Sequence, residues 1–140
     1  MNNLSIIVRF MRTYAERRMQ EFSVGFAEQV ILMYLSNHQD VNQDSIAQYY
    51  GIDKGAVAKT IKKLEDKNLI VRTENPKNRR EKILSLSESS QEIFINMEDV
   101  LSEWNAAVFK GISHEDQEKF QSITEKMAQN AIQLLQETKE

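Results

Sequence analysis

Apolar residues at the start of the chain recur at helical spacing. Leu4, Ile7, Val8, Met11, Tyr14 and Ala15 fall on one face, and Ile6 and Phe10 widen it. The pattern predicts a helix from about residue 3 to 20, and Gly25 then breaks it. Phe26, Val30, Ile31, Met33, Tyr34 and Leu35 predict a second helix ending near Asn37 and His38. Asn42 is a natural N-cap for a short third helix with Ile46, Ala47 and Tyr50 turned inward. Gly51 should end that helix, because glycine enters the left-handed conformation without a Cβ clash. Asp53 then caps a fourth helix running to about Lys67, with Val57, Ile61 and Leu64 stacked on one side.

Beyond this point the period changes. Asn68 suits the left-handed position after a helix, and Leu69 to Arg72 read as a short strand. Thr73 to Glu81 hold the only proline and a polar cluster, which marks a turn. Ile83, Leu84 and Leu86 supply a returning strand, so residues 69–86 form a β-hairpin. Ser87 opens a long helix with Ile93, Met97, Leu101, Trp104 and Val108 on one stripe, expected to stop at Gly111. Ser113, with Asp116 three residues on, looks like another cap. The final helix presents Phe120, Ile123, Met127, Ala131 and Leu134. The chain shows no internal repeat, low-complexity segment or flexible linker. A helix, a turn and a helix at 42–67 followed by a hairpin make a winged helix-turn-helix. The fold class is therefore mainly α with a small β-hairpin wing, plus extra helices at both ends.

Composition narrows the picture. At 140 residues, 41% apolar and 28% charged, the chain is the size of one ordinary domain or a small one with added helices. One proline and four glycines are too few for the turns of an all-β fold. With no cysteine, disulfides, thiolate metal sites and thiol redox sensing are excluded. No apolar run approaches the roughly 18–20 residues that span a bilayer, and Leu4 to Arg9 do not resemble a signal peptide. A soluble, cytoplasmic protein is expected, with no membrane partner. There is no nucleophile–base motif, glycine-rich phosphate loop or metal-ligand cluster, so no enzyme, cofactor or metal is expected. Two histidines have acidic neighbours: His38 with Asp40 and Asp44, and His114 with Glu115, Asp116 and Glu118. Without a ligand-spacing motif they read as structural or surface groups.

The net charge of −3 hides a strong segregation. Residues 54–82 carry ten Lys/Arg against four acids, while the rest of the chain carries eight against seventeen. A lysine-rich helix is most often a solvated face, but ten cations over two successive elements focus positive potential on one region. With Val57, Ile61 and Leu64 inward, a step of about 100° per residue puts Gly55, Lys59, Lys62 and Asp66 on the opposite face of the fourth helix. Lys63 and Ala58 lie on its flanks. Small Gly55 and Ala56, beside Lys54, would let the N-terminal end of such a helix approach base-pair edges in the major groove. The lysines beyond would reach phosphates. In the wing, Lys77, Asn78, Arg79 and Arg80 suit a narrow minor groove, where arginine meets enhanced negative potential. The DNA-contact candidates are thus Lys54, Gly55, Ala56, Lys59, Lys62, Lys63, Lys77, Asn78, Arg79 and Arg80. The competing reading is a winged-helix protein-interaction module that does not read DNA, which would have no need of cations on both helix and wing.

The run from Asp53 through Lys59-Thr60-Ile61-Lys62-Lys63-Leu64 to Leu69-Ile70 resembles the recognition helix and first wing strand of the MarR (multiple antibiotic resistance regulator) family. Arg72, then Asn78-Arg79-Arg80 and Leu84-Ser85-Leu86-Ser87, resemble that family's wing signature, an Asp-x-Arg group leading to a Leu-Thr pair. The resemblance is specific over residues 42–90. It implies a dimeric winged-helix transcriptional regulator, usually a repressor, whose DNA affinity changes on binding a small ligand or on oxidation. It also implies that Arg80 enters the minor groove and that position 78, usually aspartate, braces it; here Asn78 keeps an acceptor without the charge. The family's frequent hydroxyls at positions 55, 56 and 58 are replaced by Gly55, Ala56 and Ala58. Methyl contacts and DNA shape should then carry more of the readout. The family's usual glycines at 68 and 90 are Asn68 and Ser90.

A winged helix needs only residues 26–86. Residues 1–25 and 87–140 are surplus to it and carry wide apolar faces, which predicts a homodimer built from these terminal helices. Leu4, Ile7, Phe10 and Met11 of one copy would pack with Ile123, Met127, Leu134 and Leu135 of another. By the resemblance, an effector would sit between the dimerisation helices and the winged helix. Tyr14, Arg18, Tyr34 and Trp104 are possible lining residues, each read first as core or surface.

Overall fold

The computed structural model describes residues 2–138; Met1, Lys139 and Glu140, the extremes of the expected dimerisation segments, lie outside the described residues. Six helices and one hairpin follow in order: α1 (Asn2–Arg18), α2 (Phe26–Asn37), α3 (Gln43–Tyr50), α4 (Lys54–Asp66), β1 (Ile70–Asn75), β2 (Asn78–Leu86), α5 (Gln91–Val108) and α6 (His114–Glu137). The arrangement is a winged helix-turn-helix with a helix before it and two after it.

The helix boundaries follow from local chemistry. Asn42 Oδ1 accepts from the Ser45 N–H at 2.8 Å while Ser45 Oγ accepts from the Asn42 N–H at 3.2 Å, a reciprocal cap on α3. Gly51 ends α3 at φ 63°, and Asn68 turns the chain out of α4 at φ 56°. Asp53 Oδ1 accepts from the Ala56 N–H at 3.0 Å to cap α4. Ser113 caps α6 through the Asp116 N–H at 3.2 Å, after Gly111 turns at φ 82°.

Three boundaries differ from the sequence expectation. Helix α1 stops at Arg18, and a short 3-10 turn over Gln20–Phe22 leads to Ser23, which takes the left-handed conformation at φ 54°. Gly25 is extended and acts as the N-cap of α2, its N–H held by Glu28 Oε2 at 2.8 Å. Ser87 does not cap a long helix: a 3-10 turn over Glu88–Ser90 precedes α5, and Ser87 and Ser89 both donate their hydroxyls to the Asn68 carbonyl. The hairpin is longer than its apolar residues indicate, because its polar outer half still pairs. Only Pro76 and Lys77 lie between the strands, where the sequence suggested a turn over Thr73–Glu81. The register runs from Ile70 opposite Leu86 to Glu74 opposite Lys82.

Met19, Leu32, Ile46, Ile61 and Leu64 are the largest fully buried side chains. Burying each such side chain is worth roughly 1.5–3 kcal/mol, so Leu32, Ile46, Ile61 and Leu64 fix α4 against α2 and α3, and Met19 anchors the segment after α1. Leu84 extends the core into the hairpin, where its N–H donates to the Val41 carbonyl at 2.7 Å. Met97 and Val100 of α5 close the other side. Helix α6 buries none of its described residues and leaves Phe120, Ile123, Met127, Leu134 and Leu135 exposed. Leu4, Ile6, Ile7, Val8 and Phe10 of α1 are exposed as well. No helix among the described residues is long and apolar enough to cross a membrane.

Candidate nucleic-acid interface

All ten candidate contact residues are exposed: Lys54, Gly55, Ala56, Lys59, Lys62 and Lys63 on α4, and Lys77, Asn78, Arg79 and Arg80 at the wing tip. Val57, Ile61 and Leu64 face the core as their spacing requires, which turns the lysine face outward. Gly55 has a local reason beyond close approach to a partner. A Cβ there would lie 3.0 Å from Asp53 Oδ1, so the missing side chain leaves room for the capping carboxylate.

The cations divide into two groups that the sequence did not separate. Lys59, Lys63, Arg79 and Arg80 make no ion pair among the described residues. Lys54 pairs with Asp44 at 3.0 Å, Lys62 with Asp66 at 2.6 Å and Lys77 with Asp40 at 4.0 Å. Those three pairs are open to solvent and therefore weak, so each ammonium is readily exchanged onto another anion. The hydrogen bond to Asp66 holds the Lys62 ammonium above the usual lysine range. Lys82 pairs across the strands with Glu74 at 3.0 Å.

Lys67 and Arg72 behave differently. Arg72 donates Nε to Glu65 Oε1 at 2.6 Å and Nη2 to Glu65 Oε2 at 3.1 Å, a fork joining β1 to α4. Lys67 donates to Glu28 Oε1 and to the Ser23 carbonyl, both at 2.6 Å. Six of the ten cations in residues 54–82 are therefore matched by the chain's own carboxylates, and the free positive charge is narrower than the count implies. The sequence reading missed Glu28 and Glu65. Glu28 has no cation at helical spacing, and the one near Glu65, Lys62 three residues before it, pairs with Asp66 instead.

The wing tip is shaped by two asparagines. Asn75 Oδ1 accepts from the Lys77 N–H at 2.9 Å, and Asn78 Oδ1 accepts from the Arg80 N–H at 3.2 Å. Both are turn-forming bonds from a side chain to the backbone two residues on. After Glu74 opposite Lys82 the register jumps to Asn75 opposite Asn78, which leaves Arg79, Arg80 and Glu81 out of the ladder. Bulges of this kind re-aim side chains. Asn78 therefore braces Arg80 through its main chain rather than its guanidinium.

An apolar cavity of about 270 Å³ lies among α1, α2 and α5, walled by Met11, Ala15, Val30, Met33, Met97 and Leu101. None of Tyr14, Arg18, Tyr34 and Trp104 lines it. The Tyr14 hydroxyl donates to Glu103 Oε2 at 2.5 Å, and Arg18 pairs with the same carboxylate at 3.1 Å. That hydrogen bond raises the Tyr14 pKa above its ordinary value. The Trp104 ring sits 5.8 Å from that of Tyr14. Tyr34 is buried and stacks on His38 at 4.0 Å, and His38 Nδ1 lies 2.9 Å from the Tyr34 carbonyl oxygen. Both histidines thus have local roles, His114 standing 3.5 Å from Glu118 on the surface of α6.

Residues 27–82 match the model of the MarR family. The whole fold superposes on a crystal structure of MarR with a TM-score of 0.83 and 26% identity, covering 97% of this chain and 92% of that one. A MarR transcriptional regulator from Methanosarcina mazei Go1 gives 0.85 and 26%, covering 95% and 96%. A MarR family regulator from Listeria monocytogenes, complexed with a 26mer DNA, gives 0.90 over 99% and 92%; at 19% identity it speaks for the fold alone. Residues 27–82 thus carry the helix-turn-helix and wing that match the MarR family model, and the flanking helices match the whole-chain folds of MarR transcriptional regulators, to which the chain is similar over nearly its full length.

Proposed function

We propose that this protein is a sequence-specific, double-stranded DNA-binding repressor acting as a homodimer on a pseudo-palindromic operator in the cytoplasm. The observation that carries the reading is that, among the described residues, Lys59 and Lys63 on α4 and Arg79 and Arg80 on the wing make no ion pair, which gathers four uncompensated cations on two adjoining elements. A chain of net negative charge that leaves these four bare on one helix and one hairpin presents a discrete anion-binding surface. Lys59 and Lys63 reach phosphates, and Gly55 and Ala56 approach base edges. Arg80 enters the minor groove beside Arg79, with Asn78 setting the turn. Lys54, Lys62 and Lys77 exchange their exposed carboxylates for phosphate when the duplex arrives.

Residues 26–86 form the reading unit, and 1–25 with 87–140 the dimerisation helices. The exposed apolar residues of α1 and α6 support that division, since a second copy would remove them from water. A twofold pair sets two α4 helices about 34–36 Å apart, one turn of DNA. A small apolar effector in the α1, α2 and α5 cavity would touch both units at once.

Selection of bound fragments from the source genome at near-physiological salt, with light scattering of the free protein, tests the reading. Enrichment of inverted-repeat sites and a dimer mass at micromolar concentration are expected. Absence of enrichment overturns the repressor reading, and a monomer overturns the geometry of the operator.

A further inference from the structure

Lys67 is the C-cap residue of α4 and belongs to the basic segment, yet its ammonium is committed to the protein's own groups. Its ammonium bridges two groups of the joint between α1 and α2, Glu28 Oε1 and the Ser23 carbonyl. Glu28 is only 6% exposed, and its second oxygen is occupied by the Gly25 N–H at 2.8 Å. The carboxylate is thus held by donors from both sides, one from the joint and one from the end of α4. The pair differs in kind from those of Lys54, Lys62 and Lys77, whose carboxylates stand in solvent. Withdrawing Lys67 towards a phosphate would strand a buried, half-satisfied carboxylate, which is strongly unfavourable.

We infer that Lys67 is a positioning residue rather than a DNA contact: with Glu28 it locks the end of the recognition helix to the joint that carries α1. The inference rests on the DNA-reading function proposed above and adds to it. Ser23 holds the joint in a left-handed turn, and Gly25 starts α2. The tie therefore connects the segment that follows α1, the start of α2 and the end of α4. In a dimer built through α1, the angle between the two recognition helices then depends on this junction. A charged pair with a fixed carbonyl acceptor leaves less room for small slides than apolar packing does.

The test uses the full-length protein and a duplex obtained by selection from a random-sequence library, with affinity measured as a function of salt. Lys67→Met should weaken binding at least tenfold while leaving the slope of log K against log salt unchanged. Glu28→Gln should weaken it similarly, although it removes a negative charge. The double variant Glu28→Met with Lys67→Met, which replaces the ion pair by apolar packing, should recover binding to within about threefold of the wild type. Thermal melts confirm that each variant is folded at the assay temperature. If Lys67→Met does not fold, Glu28→Gln and the double variant decide the outcome. A slope reduced by about one unit per lost phosphate contact, with no recovery in the double variant, makes Lys67 a DNA contact and overturns the inference. If the wild-type protein selects no duplex, the DNA-reading function itself fails and takes this inference with it. Arg80→Ala serves as the control whose slope must change.

Discussion

Glu65 in the recognition helix and Arg72 in the first wing strand are joined by two parallel hydrogen bonds, 2.6 and 3.1 Å long. A planar fork of this kind fixes an angle as well as a distance. It sets the wing relative to α4, and so sets Arg79 and Arg80 relative to Lys59 and Lys63.

Glu65→Gln is therefore expected to weaken DNA binding by about three- to tenfold, about 0.7–1.4 kcal/mol, which is part of the value of a charge-assisted bond because glutamine keeps one acceptor. Simple electrostatics predicts the opposite, because the substitution deletes an acid beside a polyanion. Fluorescence anisotropy with a selected duplex distinguishes the two; tighter binding would show that the fork does not position the wing.

Arg80→Ala and Arg79→Ala should weaken binding to every duplex sequence. Each lost phosphate contact should flatten the salt dependence by about one unit, hence about two per dimer. Asn78→Ala keeps all the charges but loses the bond to the Arg80 N–H. It should lower affinity several-fold at constant slope. A salt titration of the three variants side by side checks the assignment, and an unchanged Arg80→Ala removes the wing tip from the interface.

Gly51→Ala tests the turn between α3 and α4. The residue sits at φ 63°, and an added Cβ would lie 3.3 Å from Leu135 Cδ1. Left-handed strain of about 1–2 kcal/mol is expected for alanine there, read as a lower midpoint in urea denaturation. Asn68→Gly, at φ 56°, should instead be neutral or slightly stabilising.

An apolar aromatic molecule that fits the cavity of about 270 Å³ should raise the melting temperature and release DNA together. Val30→Phe, which fills that space, should abolish both responses while leaving wild-type affinity for DNA in the absence of ligand. A molecule that stabilises the protein without changing DNA affinity would exclude the cavity as an effector site.

The sequence alone determined the order of elements, the winged-helix class and the outward face of α4. These depend on interactions over a few residues: the spacing of Val57, Ile61 and Leu64, the caps at Asn42, Asp53 and Ser113, and the left-handed positions at Gly51 and Asn68. Which cations remain free was not legible. Lys67 meets Glu28 and Arg72 meets Glu65 only after α2, α4 and β1 have packed. The same holds for the wing tip, where two asparagine turns and a register jump, rather than the apolar pattern, decide where the strands end. A cap is satisfied by its own neighbours in the chain, whereas an ion pair between elements is chosen by whichever carboxylate the packed core brings within reach, and that choice belongs to the tertiary structure.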